Sequence, residues 1–180
     1  MRTRFRIVII SLVALVFLIA TNLQSVSAQS VPTEEQLDKI TVNCLSIKSN
    51  LNQLHASDAL LRVNRGQLYE SISTKLMSAF NNRLTSNSFD AKGLAVVLTG
   101  YRTALEAFQG DYRSYERQLS AAIKVDCNKE PLEFHNAIED ARTKRNKVHD
   151  DVAKLNQYID DYRSAVNDFY VNYQRVTETN

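Results

Sequence analysis

Thr85-Ser86-Asn87-Ser88-Phe89-Asp90 is a polar interruption near the middle of a 180-residue chain. The chain has two cysteines, Cys44 and Cys127, and their midpoint falls between Thr85 and Ser86. If two long helices reverse direction at this turn, residues equally distant from it lie side by side and the two thiols meet. A disulfide needs Cα atoms within about 7 Å, a distance that helices packed about 8–10 Å apart at their axes can provide. The turn and the bridge are read from different residues, and each predicts the other.

Outward from the turn, both arms carry helical periodicity. On the N-terminal side Thr33-Glu34-Glu35-Gln36 matches a capping box, with two acids at the positive end of the helix dipole. Apolar residues then recur in steps of three and four: Leu37, Ile40, Cys44, Ile47, Leu51, Leu54, Leu61, Leu68 and Ile72. The phase slips by one residue to Leu76 and Ala79. Gly66 is the weak point of this arm, where a kink is allowed, but the bridge forbids a full reversal there.

On the other side Phe89 and Leu94 have the spacing of a hydrophobic staple, and Asp90 suits an N-cap. The seam Leu94, Leu98, Tyr101, Leu105, Phe108, Tyr112, Tyr115, Leu119, Ala122 is unbroken. A second turn, Asp126 to Glu130, precedes Pro131, which can open a helix because its missing N–H does no harm there. The third seam runs Phe134, Ile138, Ala141, Arg145, Val148, Val152, Leu155, Ile159, Tyr162, Val166, Phe169, Tyr173, Val176. The expected fold is all-α. It is an elongated antiparallel three-helix bundle, coiled-coil-like and similar in form to a spectrin repeat, with helices at about 33–84, 90–125 and 131–176.

Met1 to Ala28 reads as a signal peptide: Arg2, Arg4 and Arg6, the apolar run Ile7 to Ala20, then Val26-Ser27-Ala28 before Gln29. The run is shorter than the roughly 20 residues of a spanning helix, so cleavage is expected, and an uncleaved anchor is the rival reading. The formal charge of +2 depends on those three arginines; without them 19 bases face 20 acids. A near-neutral mature chain lacks the positive field that nucleic-acid binding uses. Export agrees with a persistent disulfide and places the domain 29–180 in an extracytoplasmic setting: secreted, periplasmic or at the cell surface.

Stacking the three helices places Asp58, Arg113 and Arg145 at one height, with Arg62 and Arg65 one and two turns further along the first helix. Asp58, Arg65 and Arg145 occupy seam positions that should be apolar. Such a polar layer either fixes helix register through an ion pair or holds a small anion or metabolite. Phe80, Phe89, Phe169, Tyr170 and Tyr173 gather near the first turn, as a bundle cap or a partner patch; tyrosines along the seams should reach water through their hydroxyls. The basic run Ala141 to His149 is followed at once by Asp150-Asp151 and reads as a compensated solvent face. No residue spacing points to a metal, a cofactor or a catalytic nucleophile.

Cys127, Pro131, Phe134, Ala141-Arg142, Arg145 and Val148, behind an export-type N-terminus, resemble small secreted helical proteins of reduced-genome bacteria. The resemblance covers most of the mature chain and implies no activity or site. The expected function is therefore that of a non-enzymatic spacer, envelope adaptor or surface-interaction module whose partner is another envelope or surface protein. Membrane association is expected only if the leader is retained. The alternative is an anion- or metabolite-binding protein built on Asp58, Arg65 and Arg145.

Overall fold

Thr33 opens the first helix as its sequence requires. Its hydroxyl accepts from the Gln36 N–H at 3.3 Å, and the Gln36 side chain accepts from the Thr33 N–H at 2.9 Å. The structure, a computed structural model, describes residues 31–178; the signal segment at 1–28 lies outside the described residues. All regular structure among the described residues is helical: α1 (Glu34–Val42), α2 (Cys44–Ser71), a π-helical segment (Ile72–Ser78), α3 (Ala79–Ser86), α4 (Lys92–Lys124) and α5 (Pro131–Glu178). Residues Pro32–Asn180 form one compact unit.

The N-terminal arm is thus not one continuous helix. Its first interruption falls at Asn43, whose own amide side chain donates to the Lys39 carbonyl at 2.8 Å and competes with the helix ladder. Gly66, where a kink was allowed, lies inside uninterrupted α2. The second irregularity is the π segment. The residues this arm buries are Cys44, Asp58, Tyr69, Ser73, Met77, Asn81 and Leu84, while Leu61, Leu68 and Leu76 are 47%, 56% and 60% exposed. The expected seam therefore has the wrong phase beyond Asp58. Tyr69, Ser73, Met77 and Asn81 are spaced by four. In an α-helix each such step overshoots a full turn by about 40°, and the wider π turn removes the drift.

The first turn closes by backbone hydrogen bonds. Phe89 N–H donates to the Leu84 carbonyl at 2.9 Å and Ser88 N–H to the Thr85 carbonyl at 3.0 Å, the paired bonds of a Schellman motif. Ser88 takes the left-handed conformation this closure needs, with φ 62°. Because the motif uses Phe89, the next helix begins at Lys92, two residues later than expected. Asp90 accepts from the Lys92 N–H at 3.0 Å from outside the helix, and Ala91 is the N-cap.

α4 is the shared wall of the core. All nine of its seam residues, from Leu94 to Ala122, are 7% exposed or less. α2, the π segment and α5 all pack on it, and they complete the main core with Tyr69, Met77, Leu155 and Tyr162. Gly100 makes room for a side chain of α5: a Cβ there would stand 2.5 Å from the Tyr158 ring. Three core tyrosines, Tyr101, Tyr115 and Tyr162, hold their hydroxyls in buried hydrogen bonds instead of reaching water as expected. Tyr101 donates to the Tyr69 carbonyl at 2.9 Å, and Tyr162 donates to the Met77 carbonyl at 3.0 Å, so one sits just before the π segment and the other near its end. Tyr162 also bonds Asn81 Oδ1 at 2.6 Å. Burial pushes the Tyr162 hydroxyl up to about 12.

A second, smaller core surrounds the disulfide. Cys44 and Cys127 are bonded with Cα atoms 5.6 Å apart and pack with Phe134, Ile40, Ile47 and Val125. Asp126 turns the chain there, accepting from the Asn128 N–H at 3.1 Å, and that bond draws its carboxyl below the ordinary range. The bridge closes 83 positions, for which the chain-entropy relation gives about 4.5 kcal/mol as an upper value. Reduction is expected to lower the melting temperature strongly while circular dichroism in the cold keeps its helical signal. An unchanged melting temperature would mean that the bridge adds nothing to the packed helices.

Candidate functional site

Asp58 sits on the inner face of α2, where the seam calls for an apolar residue. Its carboxylate Oδ2 accepts from the Tyr115 hydroxyl at 2.7 Å and from Arg145 Nε at 3.3 Å, across 87 positions of sequence. The Asp58 side chain is 10% exposed, whereas that of Arg145 is 54% exposed. The arrangement is therefore a buried carboxylate satisfied by a buried phenol, with an arginine reaching in from the surface. The inward bond is the shorter one and the better shielded. Burial, then the hydrogen bond to Asp58, raises the Tyr115 hydroxyl well above its usual value. Burial, the largest single influence on the Arg145 guanidinium, acts to lower it, but the hydrogen bond and the charge of Asp58, with Tyr115, together leave it raised.

One turn along α2, Arg62 Nη1 pairs with Glu116 Oε2 at 2.7 Å, and its guanidinium lies over the Tyr112 ring, 5.4 Å from the centroid. Tyr112 itself is pushed up to about 12 by burial. Between these residues opens a cleft of about 340 Å³, lined by Asp58, Leu61, Arg62 and Arg65 of α2, by Phe108, Tyr112 and Tyr115 of α4, and by Arg145, Asn146, Val148, His149 and Val152 of α5. Four of the five residues expected in the polar layer are thus brought together. Arg113 is not. It is exposed and does not line the cleft, because the inward face of α4 is taken by Tyr112 and Tyr115 on either side of it.

Tyr115 and Glu116, the partners of Asp58 and Arg62, escaped the sequence reading. For Tyr115 the signal was available, since it lies within a turn of the position level with Asp58 in the register set by the disulfide. Glu116 lies about two turns from the position level with Arg62, and only the reach of the two long side chains joins them. A third polar contact, between α4 and α5, was also missed. Lys147 Nζ reaches Asp111 at 3.0 Å, and Asp151 lies beside the same carboxylate. Asp151 Oδ2 is buried without a conventional partner. Burial, followed by hydrogen bonding to Asp111, raises the Asp151 carboxyl, so a proton shared between the two acids accounts for the orphaned oxygen.

At the first turn the rings of Phe80, Phe89, Phe169 and Tyr173 meet. Phe89 stands edge-on to Phe169 at 5.8 Å and to Tyr173 at 5.5 Å, and Phe80 stands edge-on to Phe169 at 6.3 Å. Tyr170 is not in this ring cluster; its hydroxyl accepts from Gln174 on the surface at 2.8 Å. Among the described residues no group of three His, Cys, Asp or Glu is placed to hold a metal ion. No helix there is long and apolar enough to cross a membrane.

Two stability tests follow from this geometry. The sequence register alone predicts about 3–5 kcal/mol for Asp58→Ala if the arginine is buried. With Arg145 half in water, the cost reduces to an unpartnered Tyr115 hydroxyl, about 1–3 kcal/mol by denaturant melts. Adding Tyr115→Phe to Asp58→Leu should recover most of it, and a full 3–5 kcal/mol from the single change would show Arg145 to be desolvated. The second test concerns Asp151. A carboxyl whose folded pKa lies above its unfolded value stabilises the fold below that unfolded value and loses the contribution as pH rises through the folded one. Asp151→Asn should therefore flatten the decline in stability above the ordinary carboxylate range near 3.8, and an unaltered pH–stability profile would contradict the shared proton. Comparison with family models, curated proteins and solved structures returns no match to this chain.

Proposed function

We propose that the chain is an exported, non-enzymatic interaction protein: an antiparallel three-helix bundle of spectrin-like form that serves as a spacer or adaptor and engages another envelope or surface protein. The observation that carries this reading is the ring surface at the first turn. Phe89 and Tyr173 of that cluster are 40% and 44% exposed, and Tyr170, outside the cluster but next in sequence to Phe169, is 54% exposed, although the chain has a well-filled core elsewhere. Large aromatic residues held half in water on rigid helices supply contact area with little further ordering, which is why they recur as anchors at protein interfaces.

Phe169 and Tyr173 continue the α5 seam beside the start of α4, and with Phe89, Leu94 and Ala165 they line a shallow groove. The aromatic stripe is thus offered at one end of the helices, and the disulfide holds together the segments near the other turn. Removal of the leader after Ala28 would begin the mature protein at Gln29 and release it into a compartment where such a bridge persists. With the leader retained, the same domain would be tethered to the membrane.

A photoreactive benzophenone side chain placed at Tyr170 in the exported protein should give covalent adducts with a second protein of the envelope or cell surface. The same group at Arg113, on α4 about 30 Å from the end of that helix at the first turn, should not. No adduct from position 170, or the same adducts from both positions, would overturn the reading.

A further inference from the structure

Independently of the aromatic end surface, we propose that the cleft between α2, α4 and α5 is a binding site for a small organic acid with a flat apolar body, an aromatic carboxylate. Part of the lining of the cleft is apolar: Leu61, Phe108, Val148 and Val152, with the ring of Tyr112. Its volume, about 340 Å³, lies at the lower end of the range of small-molecule sites. A cleft of this make-up between packed helices removes an apolar body from water while leaving one end open to polar side chains.

Charge selects the sign of the ligand. Three arginines line the cleft against one carboxylate, Asp58. Arg62 is committed to Glu116. Asp58 is committed to Tyr115 and to Arg145 Nε. Arg65, also in the lining, is exposed and pairs with no carboxylate among the described residues. Arg145 meets Asp58 through Nε alone, which leaves both its terminal nitrogens free of that carboxylate. One guanidinium charge is therefore uncompensated, and two guanidiniums keep donors that fit the oxygens of a carboxylate. Asp58 serves to fix Arg145 at the wall and, because its oxygen is already filled by two donors, it repels the anion less than a bare carboxylate would. A cationic or neutral ligand would leave the Arg65 charge without a counterpart.

The test uses the intact, oxidised protein and 2-naphthoate as probe, with acetate and 2-naphthylmethanol as the partners lacking the apolar body and the charge. Binding is followed by NMR shifts of the residues lining the cleft. Saturable one-to-one binding of 2-naphthoate is expected, with both comparison compounds at least tenfold weaker. Arg65→Gln should weaken 2-naphthoate at least tenfold without altering the melting temperature, since Arg65 holds nothing in the fold. Phe89→Ser, in the groove beside the first turn, should leave the affinity unchanged. Absence of saturable 2-naphthoate binding would overturn the proposal. So would undiminished binding to the Arg65→Gln variant, equal binding of acetate or 2-naphthylmethanol, or loss of binding in the Phe89→Ser variant.

Discussion

The continuous seam of α4 is the constraint on which the rest of the structure depends. Nine residues recur at heptad spacing from Leu94 to Ala122, all buried, so this helix has one face committed along its whole length. Both other arms must cover that face, and their side chains are positioned by what it presents. For two of the three tyrosines on the α4 seam the opposite arm supplies an acceptor, the Tyr69 carbonyl for Tyr101 and the Asp58 carboxylate for Tyr115, and for Tyr112 it supplies the Arg62 guanidinium over the ring. A buried phenol without a partner costs free energy comparable to a lost hydrogen bond, so each of these contacts restricts the axial position of the facing helix. The tyrosines act as register marks as well as core volume.

The π segment belongs to the same accommodation. α2, the π segment and α3 must together present Tyr69, Ser73, Met77, Asn81 and Leu84 to one wall although four of these five are spaced by four residues. A wider turn brings them into line, at the expense of regular helix hydrogen bonding. Tyr101 and Tyr162 donate to carbonyls at Tyr69 and Met77, just before the segment and near its end. α5 thereby stabilises, through Tyr162, an irregularity on a helix with which it runs parallel. The irregularity and its two phenol contacts form one unit of structure.

The disulfide acts at a distance from all this. It lies in its own small core with Phe134 and ties α2 to the second turn. Because it fixes one height along α2 and α4, it also sets which residues meet further along them, as Asp58 meets Tyr115. The polar cleft is in this sense a consequence of the register. Its residues face one another because the helices cannot slide. The buried Asp58 differs from a salt bridge in an apolar core, since its closest donor is a neutral phenol and the arginine remains half in water, where desolvation is slight.

How much of this was legible in the residues depended on how each position carried its information. The helical class, the two turns, the capping box at Thr33, the α4 seam and the bridge were readable because each rests on local spacing or on one distance along the chain. The meeting of Asp58 with Arg145 followed from that same register. The phase of α2 beyond Asp58 was not readable: the residues that turn inward include Ser73 and Asn81, while Leu68 and Leu76 face water, so hydrophobicity pointed to the wrong stripe. Arg113 failed for a related reason, since a height along a helix does not say which way a side chain points. The break at Asn43 in place of Gly66, and the pairing of Asp111 with Asp151, were likewise settled by contacts between or within helices that no periodicity encodes. Sequence by itself determined which segments are helical and where the chain reverses, because those follow from local propensity and spacing. Tertiary structure alone decided which face of each helix is inside, because burial of Ser73 and Asn81 becomes favourable only when facing helices supply packing and, at Asn81, a phenol to bond.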